Sequence, residues 1–127
     1  MAELNAIGIV VSDMARSIRF YRLLGLEFPE TPDEGHLEAT LAGGARLMLD
    51  PEETVRSFRP DWERTVGNQL ALAFQCGSPA DVDELYAQAV DAGFRGEKEP
   101  WDAFWGQRYA QLLDPDGVRI NLYAALE

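Results

Sequence analysis

The chain has 127 residues, 46% of them apolar, which is the size and make-up of one globular domain able to bury a core. Its 22 acidic and 11 basic side chains leave a formal charge of −11, a field that repels phosphate and argues against nucleic acid and anionic membrane as partners. No apolar run approaches the roughly 18 residues needed to span a bilayer, and the opening Met-Ala-Glu-Leu-Asn-Ala lacks the basic region of a signal peptide, so a cytoplasmic location is expected.

Residues 6–11 (Ala-Ile-Gly-Ile-Val-Val) have the composition of a strand. Ser12 and Asp13 follow as helix N-caps, and Met14, Ile18 and Tyr21 recur at helical spacing up to a stop at Gly25. Strands are expected near 26–29, 36–41 and 45–49, the last two joined by a turn at Gly43-Gly44. Residues 51–68 form a linker, so that module one covers about 4–50 and module two about 69–127 of a single domain.

The same order then returns. Residues 69–75 predict a strand, and Ser78-Pro79 caps a helix whose apolar face carries Val82, Leu85, Tyr86, Ala89 and Val90 before Gly93 stops it. Strands near 94–97, 107–113 and 118–123 complete the unit, with Asp114-Pro115-Asp116-Gly117 as the turn between the last two. A strand-helix-three-strand unit thus occurs twice, an α+β arrangement in which neither half alone buries a comfortable core. Cys76, the single cysteine, ends the apolar stretch Leu-Ala-Leu-Ala-Phe-Gln-Cys and is expected to be a buried, inert thiol.

The segments 9–26 (Ile-Val-Val-Ser-Asp-Met-Ala-Arg-Ser-Ile-Arg-Phe-Tyr-Arg-Leu-Leu-Gly-Leu) and 105–122 (Trp-Gly-Gln-Arg-Tyr-Ala-Gln-Leu-Leu-Asp-Pro-Asp-Gly-Val-Arg-Ile-Asn-Leu) resemble the two module motifs of the vicinal oxygen chelate, or glyoxalase/bleomycin-resistance, superfamily. That resemblance implies two βαβββ modules forming a curved mixed sheet around a cleft. The segments 35–39, 53–57 and 100–109 are similar to the mitomycin-binding resistance proteins within it, which implies a homodimer that sequesters an antibiotic, with clefts completed by both chains. The alternative is a lyase or isomerase acting on a small metabolite, since fold alone does not assign function.

Enzymes of that superfamily mostly hold a divalent metal with one ligand from the first and last strand of each module. The matching positions here are Ala6, Met48, Ala71 and Asn121, so no metal and no other cofactor is expected. Strand alternation then turns Ala6, Gly8, Val10, Ala71, Ala73, Gln75, Arg119, Asn121 and Tyr123 toward the cavity, and their larger neighbours toward the helices. Small residues on that face leave room for a ligand.

The expected ligand-binding residues are His36, Met48, Trp101, Trp105, Tyr109, Asn121 and Tyr123. His36, the only histidine, either stacks its flat ring on a planar ligand opposite Trp105 or is a solvated loop residue; Trp105 is otherwise an apolar anchor. Trp101 and Phe104 either shape the entrance or pack in the core or dimer, Tyr109 shares a face with Gln107 and Gln111, and Trp62 either closes a lid or packs. His36 and Glu38, two apart on one strand face, are the available acid–base pair, and no catalytic residue is assigned.

Overall fold

A computed structural model describes residues 1–29, 35–65 and 69–126. Ten elements follow in order: β1 (Ala6–Val11), α1 (Met14–Leu23), β2 (Leu37–Thr40), β3 (Arg46–Pro51), α2 (Glu52–Phe58), β4 (Ala71–Gln75), α3 (Pro79–Asp91), β5 (Arg95–Ala103), β6 (Gln107–Leu113) and β7 (Arg119–Ala125). The chain divides into two compact units, Met1–Thr65 and Val66–Glu127.

In the first unit the strand order is β1-β3-β2, with β1 parallel and β2 antiparallel to β3. The β2–β3 turn runs through Gly43 and Gly44 at φ 91° and 95°, a left-handed backbone that glycine adopts without steric cost. Asp13 caps α1 by accepting from the Arg16 amide at 3.1 Å. Ile9, Val11, Leu37, Ala39, Leu47 and Leu49 share one sheet face and are buried, as are Ile18, Phe20 and Tyr21 on α1. Phe20 and Tyr21 meet edge to face at 5.1 Å.

Two expected assignments of secondary structure fail in this unit. Residues 26–29 form no strand: the Arg22 guanidinium donates to the Phe28 carbonyl at 3.0 Å, and the Leu26 amide donates to Tyr21 O. The buried Phe28 is thereby tied to the end of α1, and its carbonyl serves a side chain instead of a ladder. The expected linker also holds a helix, α2, which is acidic in its first turn and buries Val55; residues 66–68 of that linker lie outside the described residues.

The second unit is the full expected module: β4-β7-β6-β5, with β4 parallel to β7 and the other pairs antiparallel. Ser78 caps α3 and Pro79 sits at its first position. Val82 and Ala89 of α3 pack with Ala110, Leu112, Ile120, Leu122 and Ala124, all essentially buried. Each fully buried Leu or Ile here contributes about 1.5–3 kcal/mol. Val90, expected on that apolar face, is exposed. Tyr86 needs a glycine opposite it, because a Cβ on Gly96 would collide with the phenol. Asp114 is buried and its Oδ1 accepts from the amides of Asp116 and Val118, both at 2.8 Å, closing the β6–β7 turn.

β5 runs farther than expected, to Ala103, so Trp101 stands on a strand and not in a loop. Phe104 and Trp105 occupy the tip of the β5–β6 hairpin, and Phe104, at 90% exposure, is not core. Cys76 is half-buried, and burial with the nearby Asp81 carboxylate pushes its thiol up, consistent with an unreactive group. Among the described residues no helix is long and apolar enough to cross a membrane.

Candidate functional site

The face of the second sheet turned away from α3 is laid out by register. Ala73, Asn121 and Gln111 form one row, continued by Lys98; Gln75, Tyr123, Tyr109 and Trp101 form the next. Ala71 and Ala73 are exposed, while Asn121, Tyr123, Tyr109, Gln111 and Trp101 are half-buried. The alternation is that of a sheet whose bulky apolar residues pack on its helix and whose other face carries small, amide and aromatic groups.

Around Tyr109 the aromatic rings gather. Trp105 meets Trp101 at 5.5 Å, Tyr109 at 5.1 Å and Phe104 at 4.9 Å, each edge to face. Its indole N–H donates to Gln107 Oε1 at 2.8 Å, which fixes the ring plane. Edge-to-face packing of this kind leaves ring faces for a further partner, and Trp105 is 47% exposed. Beside them Gln111 Nε2 donates to Asn121 Oδ1 at 3.0 Å and to Tyr109 Oη at 3.4 Å. Five of the expected ligand residues, Trp101, Trp105, Tyr109, Asn121 and Tyr123, thus stand on one sheet face and its hairpin tip.

The first unit carries His36 and Met48. On the sheet face opposite α1, Met48 pairs with Gly8 and Glu38. His36 lies just before β2, where the register brings it opposite Asp50. Its Nδ1 meets Asp50 Oδ1 at 2.6 Å and its Nε2 meets Glu38 Oε2 at 2.7 Å. Two carboxylates on two ring nitrogens require both nitrogens to donate, which is the imidazolium form. The hydrogen bonds to Glu38 and Asp50 accordingly hold its pKa above the ordinary imidazole value, and those from His36 and Arg46 hold Glu38 below the carboxylate range. Arg46 extends the chain of contacts, donating to both Glu38 oxygens and to Asn5 Oδ1 at 3.0 Å.

Trp62, the other aromatic residue of interest, has the guanidiniums of Arg56 and Arg64 over its ring, 5.2 and 5.5 Å from the ring centre, with Arg64 held by Glu52 at 2.7 Å. Arg108 pairs with Asp83 at 2.8 Å and with Asp102 at 3.1 Å.

The model of the glyoxalase/bleomycin resistance protein/dioxygenase superfamily matches residues 3–122. The chain belongs to that superfamily. Among solved structures it is similar to a glyoxalase/bleomycin resistance protein/dioxygenase family enzyme from Burkholderia phytofirmans, at 22% identity and TM-score 0.84 over 98% of this chain and 100% of that one. It is also similar to a glyoxalase-related enzyme from Fulvimarina pelagi, at 18% identity and TM-score 0.83 over 98% and 88% of the two chains. A protein from Agrobacterium tumefaciens matches at 27% identity and TM-score 0.75 over 98% of each chain. Comparison with curated proteins finds no match.

Superfamily membership raises the question of a metal, and the residues do not fit one. Ala6 and Met48 in the first unit, and Ala71 and Asn121 in the second, offer methyl groups, a thioether and one amide. None is an imidazole, a carboxylate or a thiolate, the ligands that divalent transition metals take. His36, Glu38 and Asp50 do not substitute for such a set, because the carboxylates sit on opposite ring edges and do not converge. Among the described residues no group of three or more His, Cys, Asp or Glu side chains is placed to hold an ion.

Asp50 was missed by sequence reasoning. Counting outward from the Gly43-Gly44 turn would have found it, since Leu37 faces Leu49 and residue 36 then faces residue 50. The Gln111–Asn121 amide pair was legible in the same way from the Asp114–Gly117 turn.

Proposed function

We propose that this superfamily member binds and sequesters a planar, partly aromatic small molecule without a metal, as a resistance or self-protection protein toward an antibiotic of the mitomycin type. The observation that carries the reading is the aromatic group Trp101, Trp105 and Tyr109, standing beside the Gln111–Asn121 amide pair on a face that also carries Ala71 and Ala73. Exposed ring area supplies stacking, the amides supply a few directional contacts, and the alanines leave room. Two stacked contacts with burial suffice for micromolar binding, near −8 kcal/mol, with no chemistry. In the first unit, taken by itself, His36 and Met48 are proposed as ligand-contacting residues; the ring of His36, held at both nitrogens, has a fixed plane.

The protein is further proposed to act as a homodimer, with the exposed Phe104 and Leu70 providing apolar surface for a partner chain. Titration of intrinsic fluorescence with mitomycin C and related quinones tests the ligand class. Saturable quenching is expected; flat titrations across several planar antibiotics would count against sequestration.

A lyase or isomerase is the second reading, favoured by His36 clamped between Glu38 and Asp50. It ranks lower because both imidazolium protons are already engaged with carboxylates, leaving none aimed at a substrate.

A further inference from the structure

We propose that Arg119 is the anchor for an anionic oxygen of the ligand, so that the class bound is a planar aromatic acid: a fused-ring or quinone system bearing a carboxylate or ionised hydroxyl. This rests on the sequestration reading above and shifts its ligand class from neutral mitomycin-type quinones to acidic planar aromatics.

The internal repeat provides the comparison. Arg46 opens the last strand of the first unit opposite Ala6, and Arg119 opens the last strand of the second opposite Ala71. The two arginines occupy equivalent places on equivalent sheets, yet their surroundings differ. Arg46 donates to both oxygens of Glu38 at 3.0 Å and to Asn5 Oδ1 at 3.0 Å. Among the described residues Arg119 pairs with Glu97 at 3.9 Å, well beyond the roughly 2.7–2.9 Å of a charge-assisted hydrogen bond. Its Nε is buried with no hydrogen-bond partner among the described residues, while 30% of the side chain stays open to solvent. A partly desolvated guanidinium without acceptors is costly, and a ligand oxygen would relieve that cost.

The neighbours are arranged for the same ligand. Asn121 is two residues along β7 on the same face, and its amide oxygen is taken by Gln111, which leaves its N–H₂ to donate. Lys98 shares the Gln111 row and lays its ammonium over the Trp101 ring at 4.9 Å, adding a further cation to this face. Arg119 and Tyr123 are four residues apart on one strand, about 13 Å, which spans a three-ring molecule from its charged end to the aromatic group. The overall charge of −11 opposes an anion at long range, but it is screened beyond about 8 Å at physiological salt, so close contacts decide.

A matched pair of probes tests this: anthraquinone-2-carboxylate and the neutral 2-(hydroxymethyl)anthraquinone, titrated by fluorescence quenching. The wild-type protein is expected to bind the carboxylate about tenfold more tightly, equivalent to about 1.4 kcal/mol. Arg119→Gln should abolish that preference and leave the alcohol within about twofold, since stacking is untouched. Equal wild-type affinity for the two probes, or an undiminished preference in the variant, overturns the anchor and leaves sequestration standing. Binding of neither probe overturns both. Should Arg119→Gln not fold, Arg119→Lys serves: loss of the fork geometry should reduce the preference severalfold, and an unchanged preference overturns the proposal.

Discussion

Trp105→Ala is the variant that most directly examines the aromatic platform. A tryptophan side chain buries up to roughly 250 Å², and 47% of Trp105 is exposed, so a stacked ligand can cover at most about 120 Å² of it. At about 25 cal/mol per Å² that is about 3 kcal/mol, and ring stacking adds roughly 0.5–1.5 kcal/mol. Removal of the indole should therefore weaken a planar ligand by up to about 4 kcal/mol, or two to three orders of magnitude in Kd. Isothermal titration with the neutral anthraquinone alcohol reads this without relying on tryptophan emission. The same variant should cost under about 1 kcal/mol of folding stability, because the ring stands at a hairpin tip and not in the core. A Kd within threefold of wild type, with the fold intact by circular dichroism, would refute the placement of the ligand against this ring.

Asp114→Ala strands two buried turn amides and should cost about 2–4 kcal/mol in urea unfolding, whereas Asp114→Asn, which keeps an acceptor, should cost under about 1 kcal/mol. The pH dependence follows from the raised pKa of His36: its contribution to stability is fully present below the ordinary value of 6.5 and is lost as pH rises through the raised one. The urea midpoint should fall across that window, and Asp50→Asn should flatten the fall; an identical profile in both proteins would remove His36 from the account. Elemental analysis of the purified protein should find substoichiometric metal, and chelator should leave probe affinity unchanged, since Ala6, Met48, Ala71 and Asn121 do not form a ligand set; stoichiometric zinc, iron, manganese or nickel would contradict this.

The repeated module was legible because its signals are local. Caps at Asp13 and Ser78, stops at Gly25 and Gly93 and the Asp114–Gly117 turn all act within a few residues, and alternation alone assigned Ile120 and Leu122 to the helix side of β7. Alternation failed near strand starts: Ile7 and Leu70 were expected to pack, but they are exposed. Residues 26–29 were misjudged for a different reason. Leu26 and Phe28 have strand-like composition, but a side chain from α1 competes for the Phe28 carbonyl, and no nearest-neighbour pattern records that competition.

The candidate site divides along the same line. Residue type by itself established what the four metal positions lack and which aromatic and amide groups the chain possesses, because ligand chemistry depends on identity before geometry. Only the tertiary structure decided their company: that His36 has a carboxylate on each ring nitrogen, that Trp105 leans on Trp101 and Tyr109, and that Arg46 is hydrogen-bonded to Glu38 at 3.0 Å while its counterpart Arg119 stands 3.9 Å from Glu97. Partners of this kind are set by strand register and by side chains meeting across the sheet, where residues distant in the chain come within reach of one another.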